Sequence, residues 1–167
     1  MVPATKSGAR CRLLHSWWLA RMARVGVHDG DTITLRIDTP AGPRQSTIRL
    51  DAIDAPELGQ PRGQSAKRTL SGMVIARQCQ VESQGGDKYG RTIGQITVAG
   101  RNVNAAMLDA GMAWHYAKYN NDARLAAAER EARAAGRGLW ADAQPIAPWE
   151  WRVSEKNRQN WKKDGER

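Results

Sequence analysis

Phenylalanine is missing from all 167 residues, and cysteine occurs only twice, as Cys11 and Cys79. Two thiols cannot build a disulfide framework, so the fold must rest on an apolar core. With Phe absent, the seven tryptophans carry much of the aromatic packing. No run approaches the roughly 18 apolar residues of a membrane span, so no membrane is expected. Histidine is scarce, and no Cys/His cluster has the spacing of a zinc site. Acid is in short supply as well. Seventeen Asp and Glu stand against 26 Lys and Arg, a formal net charge of +9 with a pI near 10.2. A field of that sign favours a polyanionic partner, because neutralising phosphates releases condensed counterions.

The length suits one domain with a single sizeable core, and nothing in the pattern calls for more than a monomer. Residues 1–16 read as a basic leader, residues 17–152 as the folded domain and residues 153–167 as a basic polar tail. Lys6, Arg10 and Arg12 precede a short signal-like stretch, Leu13 to Ala20, which holds His15 and lacks a clean small-x-small cleavage site. Export is left open. Cys79 alternates with Val81 and reads as a small buried apolar residue. A Cys11–Cys79 bridge has nothing in the sequence to favour it over two free thiols.

Residues 17–27 alternate as a strand, with Trp17, Leu19, Ala23, Val25 and Val27 of nearly one parity. Asp29-Gly30 makes a tight turn. Ile33, Leu35 and Ile37 against Thr32, Thr34 and Arg36 give strict period-2 patterning. Residues 38–44 read as a hairpin loop. The strand at 45–51 puts Ile48 and Leu50 on one face and Arg49 on the other. Ala66, Leu70, Met73 and Val74 predict an amphipathic helix within 63–77. Strands follow at 78–84 and 92–98, then helices at about 103–110, stopped by Gly111, and from Asn121 or Asp122 to Gly136 or Gly138. Strands bunched before and between helices exclude the strict alternation of a parallel sheet. The fold class expected is α+β, mainly β: a five-stranded OB-fold barrel with about three packed α-helices.

Five charged residues stand out on this scaffold: Asp31, Arg49, Asp54, Glu57 and Arg91. Asp31 opens a strand with the parity of Ile33 and Leu35, so its carboxylate can lean toward the barrel mouth. Asp54 and Glu57 follow the next strand, with Pro56 stiffening the turn between them. Three converging carboxylates repel one another unless one takes up a proton or a cation intervenes. All-oxygen ligation favours Ca²⁺ or Mg²⁺. Arginine suits phosphate, because its planar fork donates parallel charge-assisted hydrogen bonds at any working pH. Lys88 adds charge beside Arg91, and Tyr89 a ring on which a base or sugar can stack. Trp114, His115, Tyr116, Lys118 and Tyr119 mix aromatic and basic character too, and fit core packing as well as substrate contact.

In order and approximate spacing, His28-Asp-Gly-Asp-Thr32, Ile48-Arg-Leu50, Ile53-Asp-Ala-Pro-Glu57 and Asp87-Lys-Tyr-Gly-Arg91 resemble the staphylococcal (thermo)nuclease-like family. Val103-Asn104, Gly111-Met-Ala113, Gly138-Leu-Trp140 and Pro148-Trp-Glu-Trp-Arg152 look like its later landmarks. The resemblance runs from about residue 17 to 152. It implies a calcium-dependent phosphodiesterase, an endonuclease acting on DNA and often RNA. By position it implies that Asp31, Asp54 and the Ala55 carbonyl hold the metal, that Glu57 is the general base, and that Arg49 and Arg91 are the catalytic arginines. Lys88, Tyr89, Tyr116 and Tyr119 fall where the family contacts nucleotides. Ala55 stands where the secreted staphylococcal enzyme has Thr, and the loop from Leu58 to Gly63 is shorter than in that enzyme. The rival expectation is a nucleic-acid-binding module of the same fold that does not cut.

Overall fold

The computed structural model describes residues 17–20, 26–39, 42–118 and 120–165. Strands β1 (Trp17–Ala20) and β2 (Gly26–Val27) precede a long hairpin, β3 (Thr32–Thr39) and β4 (Gly42–Leu50). The two-residue β5 (Ile53–Asp54) leads to helix α1 (Gly63–Val74). Strands β6 (Cys79–Gly86), β7 (Thr92–Val98) and β8 (Arg101–Asn102) follow, then helix α2 (Val103–Asp109) and β9 (Trp114–His115). Helix α3 (Ala123–Ala134), one 3₁₀ turn (Gly138–Ala141) and helix α4 (Pro148–Gly165) complete the order.

The period-2 pattern becomes the hairpin directly. Ile33, Leu35, Ile48 and Leu50 are buried at 1 % exposure or less, while on the opposite face Thr32 and Thr34 are buried polar residues, Thr47 and Arg49 are half-buried and Arg36 is exposed. The β3–β4 ladder runs from Thr32 opposite Arg49 to Thr39 opposite Gly42. Both strands therefore reach into residues 38–44, which the sequence reads as loop. Backbone pairing continues there although the side-chain pattern that announces a strand has stopped. Pairing proceeds β1–β6–β7–β4–β3–β2, with β4 parallel to β7 and β8 added to β7. Strands β1, β3, β4, β6 and β7 carry the sheet. The single strand expected at 17–27 appears as β1 and β2 at opposite ends of this path, and residues 21–25 lie outside the described ones. Six Cα steps reach at most about 22 Å, whereas six strands laid flat would hold the two edges about 24 Å apart. A sheet joined in this way must curl, as a barrel does.

Helix α1 lays Ala66, Leu70 and Val74, all fully buried, on the sheet's inner face with Cys79, Val81 and Ile96. Burying a large aliphatic side chain is worth about 1.5–3 kcal/mol. Helix α3 starts at its Asp122 cap, whose carboxylate accepts the Arg124 N–H at 2.8 Å, and buries Leu125 and Ala132. Ala135 lies past the helix end and is exposed. One buried amide ties the sheet to the turn ahead of β5. The Asn104 side chain accepts the Ile96 N–H at 3.1 Å and donates to the Asp51 carbonyl at 2.9 Å. That bond fixes the Asp51–Ala52 turn, where Ala52 adopts a left-handed φ of 64°.

Among the described residues four α-helices stand where about three are expected. The extra one is α4, which takes in most of the segment read as a polar tail. Its residues lack an apolar stripe, so periodicity is silent there. Tertiary contacts hold it instead: Pro148 is buried at the first helical position, and the Trp149 ring stacks on Tyr116 at 5.6 Å and 10°. Among the described residues no helix is long and apolar enough to cross a membrane. Cys79 is buried and free, and Cys11 lies outside the described residues.

Candidate active site

The turn before β3 presents Asp31. The Asp29 carboxylate accepts the Asp31 N–H at 3.0 Å, closing the turn on itself. A Cβ on Gly30 would sit 2.6 Å from the Ala55 Cβ and 2.7 Å from the Ala66 Cβ, so glycine alone lets the turn settle against both. The Asp31 carboxylate then accepts the Ala55 N–H at 2.8 Å and the Thr32 hydroxyl at 3.0 Å. Burial pushes its pKa up to about 7. Arg49 and the Ala55 N–H oppose that rise, and the Asp29 and Asp54 carboxylates add to it.

Arg49 projects from the face of β4 opposite Ile48 and Leu50, as its parity requires. Its Nη1 donates to the Leu50 carbonyl at 2.9 Å and the Ile53 carbonyl at 2.8 Å. Its Nη2 lies 3.2 Å from Asp31 and 2.9 Å from Asp54, so one nitrogen touches both carboxylates. A guanidinium has five N–H donors, and Arg49 turns most of them to its own protein. Asp54 is 1 % exposed and sits on β5, which pairs with β9 through Asp54 opposite Trp114.

Glu57 comes next along the chain. The Glu57 carbonyl accepts the Gln60 N–H at 2.8 Å, and the Glu57 N–H is capped by the Gln60 side chain at 3.2 Å. Gly63 packs against this turn so closely that a Cβ there would lie 1.9 Å from the Glu57 carbonyl oxygen. The Glu57 carboxylate is about two-fifths exposed and pairs with Arg152 of α4 at 2.8 Å. The same guanidinium forks onto Asp54, with Nη2 at 2.7 Å and Nη1 at 3.3 Å. The Asp54 hydrogen bonds, followed by those of Glu57, raise the Arg152 pKa above the usual arginine range.

Across the cleft, the β6–β7 turn carries Lys88, Tyr89 and Arg91. Asp87 organises it, accepting the Tyr89 N–H at 2.8 Å and the Arg91 N–H at 3.0 Å, and gripping Arg91 Nε at 2.7 Å. Tyr89 is 72 % exposed, with Lys88 Nζ 5.1 Å and the Arg91 guanidinium 5.5 Å from its ring centre.

All these groups line one cavity of about 600 Å³: Asp31, Arg49, Asp54, Ala55, Glu57, Lys88, Tyr89, Arg91 and Tyr116. Tyr119 lies outside the described residues. The three carboxylates do not gather into one cage, however. Among the described residues no three His, Cys, Asp or Glu side chains stand close enough to hold a metal ion. Asp31 and Asp54 meet at Arg49, while Glu57 is drawn to Arg152. Two hard oxygen donors sharing one cationic nitrogen still fit a hard divalent ion: Mg²⁺ often takes one or two carboxylates and completes its shell with water and substrate phosphate, and Ca²⁺ accepts carboxylate, backbone carbonyl and water oxygens. Arg152 is the member that sequence reasoning missed. It appears there only inside a landmark motif, and 98 residues separate it from Asp54.

A curled sheet with helices packed on it, opening at a cleft of opposed carboxylates and arginines, defines a small α+β barrel built round an ion-rich site. The family described as "Staphylococcal nuclease homologue" matches residues 47–142. A protein of Haemophilus influenzae named "Uncharacterized endonuclease" is 40 % identical over 132 residues, covering 79 % of this chain and 72 % of that one. A "Micrococcal nuclease" of Shigella flexneri is 37 % identical over 157 residues, 87 % of each chain. A "Probable staphylococcal-like nuclease" of Oryza sativa subsp. japonica is 43 % identical over 110 residues, 66 % of this chain and 33 % of the longer plant protein. The chain belongs to the staphylococcal nuclease-like family.

Proposed function

We propose that this protein is a divalent-cation-dependent nuclease, with Ca²⁺ as the first candidate and Mg²⁺ the second. It hydrolyses phosphodiester bonds within DNA, with RNA as a second substrate. The observation that carries the reading is the single cleft in which Asp31, Arg49, Asp54, Glu57 and Arg91 converge on a protein of charge +9. Asp31, Asp54 and the Ala55 carbonyl are the groups to hold the cation. Bound there, it supplies charge stabilisation for the phosphate and activation of a water. Glu57, half-exposed at the cleft, takes the proton that the water gives up. Arg91, and the Arg49 donors that a cation held by Asp31 and Asp54 would free, are the groups to bind the phosphate best as its charge grows, which favours the transition state. Lys88, Tyr89 and Tyr116 steer and stack the strand.

One observation favours the rival reading, a binding module that does not cut. Arginines already neutralise the carboxylates of the site, so the cleft is closed electrostatically without any cation. A digest decides. Plasmid and single-stranded oligonucleotide should be cut with Ca²⁺ or Mg²⁺ and spared with chelator, and Glu57→Ala should cut at least a hundredfold more slowly. Salt-dependent binding without turnover under either cation would establish the module instead.

A further inference from the structure

Helix α4 enters the site through one side chain, and nothing in the proposed chemistry yet uses it. Arg152 spans two carboxylates of different character. Asp54 is buried at 1 % exposure and anchored in a β-ladder, whereas the Glu57 side chain is 41 % exposed. A carboxylate at such exposure turns freely unless something holds it. Arg152 provides the hold: Nη1 reaches Glu57 Oε1 at 2.8 Å and Asp54 Oδ1 at 3.3 Å, while Nη2 takes Asp54 Oδ2 at 2.7 Å. The planar fork allows little play between the two acids.

The helix presenting Arg152 is fixed to the same wall. Trp149, one turn earlier, stacks on Tyr116 and meets Trp114 edge-on at 5.6 Å and 71°. Trp114 is the residue paired with Asp54 across the β5–β9 ladder, and the Tyr116 N–H donates to the Ala52 carbonyl at 2.8 Å. The arginine and the acids it bridges are thus held by one set of contacts, although the chain between them is long. A guanidinium against Asp54 also opposes a divalent ion electrostatically, since like charges at such range repel even when partly screened.

We propose that Arg152 is a positioning residue of the nuclease reaction: it orients Glu57 against Asp54 at the expense of cation affinity. This rests on the nuclease reading. Arg152 touches neither water nor phosphate in that scheme and acts through Glu57.

The test sets two readouts in opposition. In Arg152→Gln, kcat on an oligonucleotide should fall at least tenfold with KM within threefold of the wild type. The same variant, titrated calorimetrically with Ca²⁺ in the absence of nucleic acid, should bind at least threefold more tightly. A merely structural arginine predicts the opposite sign, with cation binding weakened as the wall loosens. Arg152→Lys keeps the charge without the fork, so its Ca²⁺ affinity should match the wild type while kcat lies threefold to tenfold lower. A kcat for Arg152→Gln within twofold of the wild type, or unchanged or weaker Ca²⁺ binding, overturns the proposal. Should Arg152→Gln lose helical circular dichroism, Arg152→Lys decides alone, and a wild-type kcat in it overturns the proposal. If the wild-type protein itself does not cut, it is the nuclease reading that has failed.

Discussion

The two walls of the cleft are built on opposite principles. On one, Asp31, Arg49 and Asp54 are tied to the backbone of Leu50, Ile53 and Ala55, and both aspartates are buried. On the other, Lys88, Tyr89 and Arg91 ride an exposed turn that Asp87 shapes from within. The first wall is part of the core and the second is an attachment to it. The difference teaches that similar residue types, arginine with carboxylate, do different work according to what surrounds them. A buried ion pair fails badly when one partner goes, because the survivor is left charged in a poor solvent, whereas an exposed pair is worth little to the fold.

The sharpest way to break the comparison is to remove one arginine from each wall. Arg49→Ala and Arg91→Ala should both cut the cleavage rate by about 10²–10³-fold, as the loss of a transition-state donor does. Their stabilities should part company. Arg49→Ala takes from buried Asp31 its guanidinium partner, while Asp54 keeps Arg152, and should cost about 3 kcal/mol. Arg91→Ala should leave the urea midpoint where it was. Equal destabilisation by the two would erase the distinction between the walls.

A second effect belongs to the buried wall alone and follows from Asp31. Its folded-state pKa, raised to about 7 from 3.8, exceeds the unfolded value. The native protein therefore holds this proton more tightly than the unfolded chain does. The associated stability is fully present below the unfolded pKa and is lost as pH rises through about 7. In chelator, unfolding free energies from urea titrations should decline between roughly pH 4 and 7, by an amount on the order of a few kcal/mol, and level off above. With Ca²⁺ the decline should flatten, because cation binding requires the ionised carboxylate and displaces the proton. Identical profiles with and without Ca²⁺ would remove Asp31 from the proposed cation site.

The walls also differ in how far the sequence discloses them. Period-2 alternation in β3 and β4 set Ile33, Ile48 and Leu50 inward, and the same parity sent Arg49 the other way, into the cleft. Glycine marked the turn at Gly30 and the end of α2 at Gly111, and Asp122 marked the start of α3. Arg152 left no such trace, because α4 owes its place to ring contacts with Tyr116 and Trp114 rather than to an apolar stripe. Asn104 is similar: its buried amide braces the Asp51 turn from 53 residues away, a bond that no local spacing encodes. Long-range polar contacts escape a pattern reading because each partner, seen alone, has ordinary local explanations. Asp87 shows the local version of the same limit. Its motif is visible in the sequence, yet its job of turning Arg91 appears only with the hydrogen bonds drawn.

That job supplies the smallest of these effects. Asp87 accepts two backbone N–H groups of its own turn and grips Arg91 Nε, so it sets where the guanidinium points without facing the phosphate itself. Asp87→Ala should leave Arg91 charged and present but disordered. The entropy of re-ordering one long side chain on binding is about 0.5–1.5 kcal/mol, which corresponds to a loss of roughly tenfold or less in kcat/KM. The urea midpoint should hardly move, since the turn lies outside the core. Asp87→Asn separates the two duties: its amide oxygen can still accept the backbone N–H groups, while the charge that grips Arg91 is gone. If Asp87→Asn cleaves like the wild type and Asp87→Ala does not, the turn's backbone alone places Arg91. If both variants lose activity alike, the carboxylate–guanidinium contact does the placing, and the exposed wall carries a small preorganised element of its own.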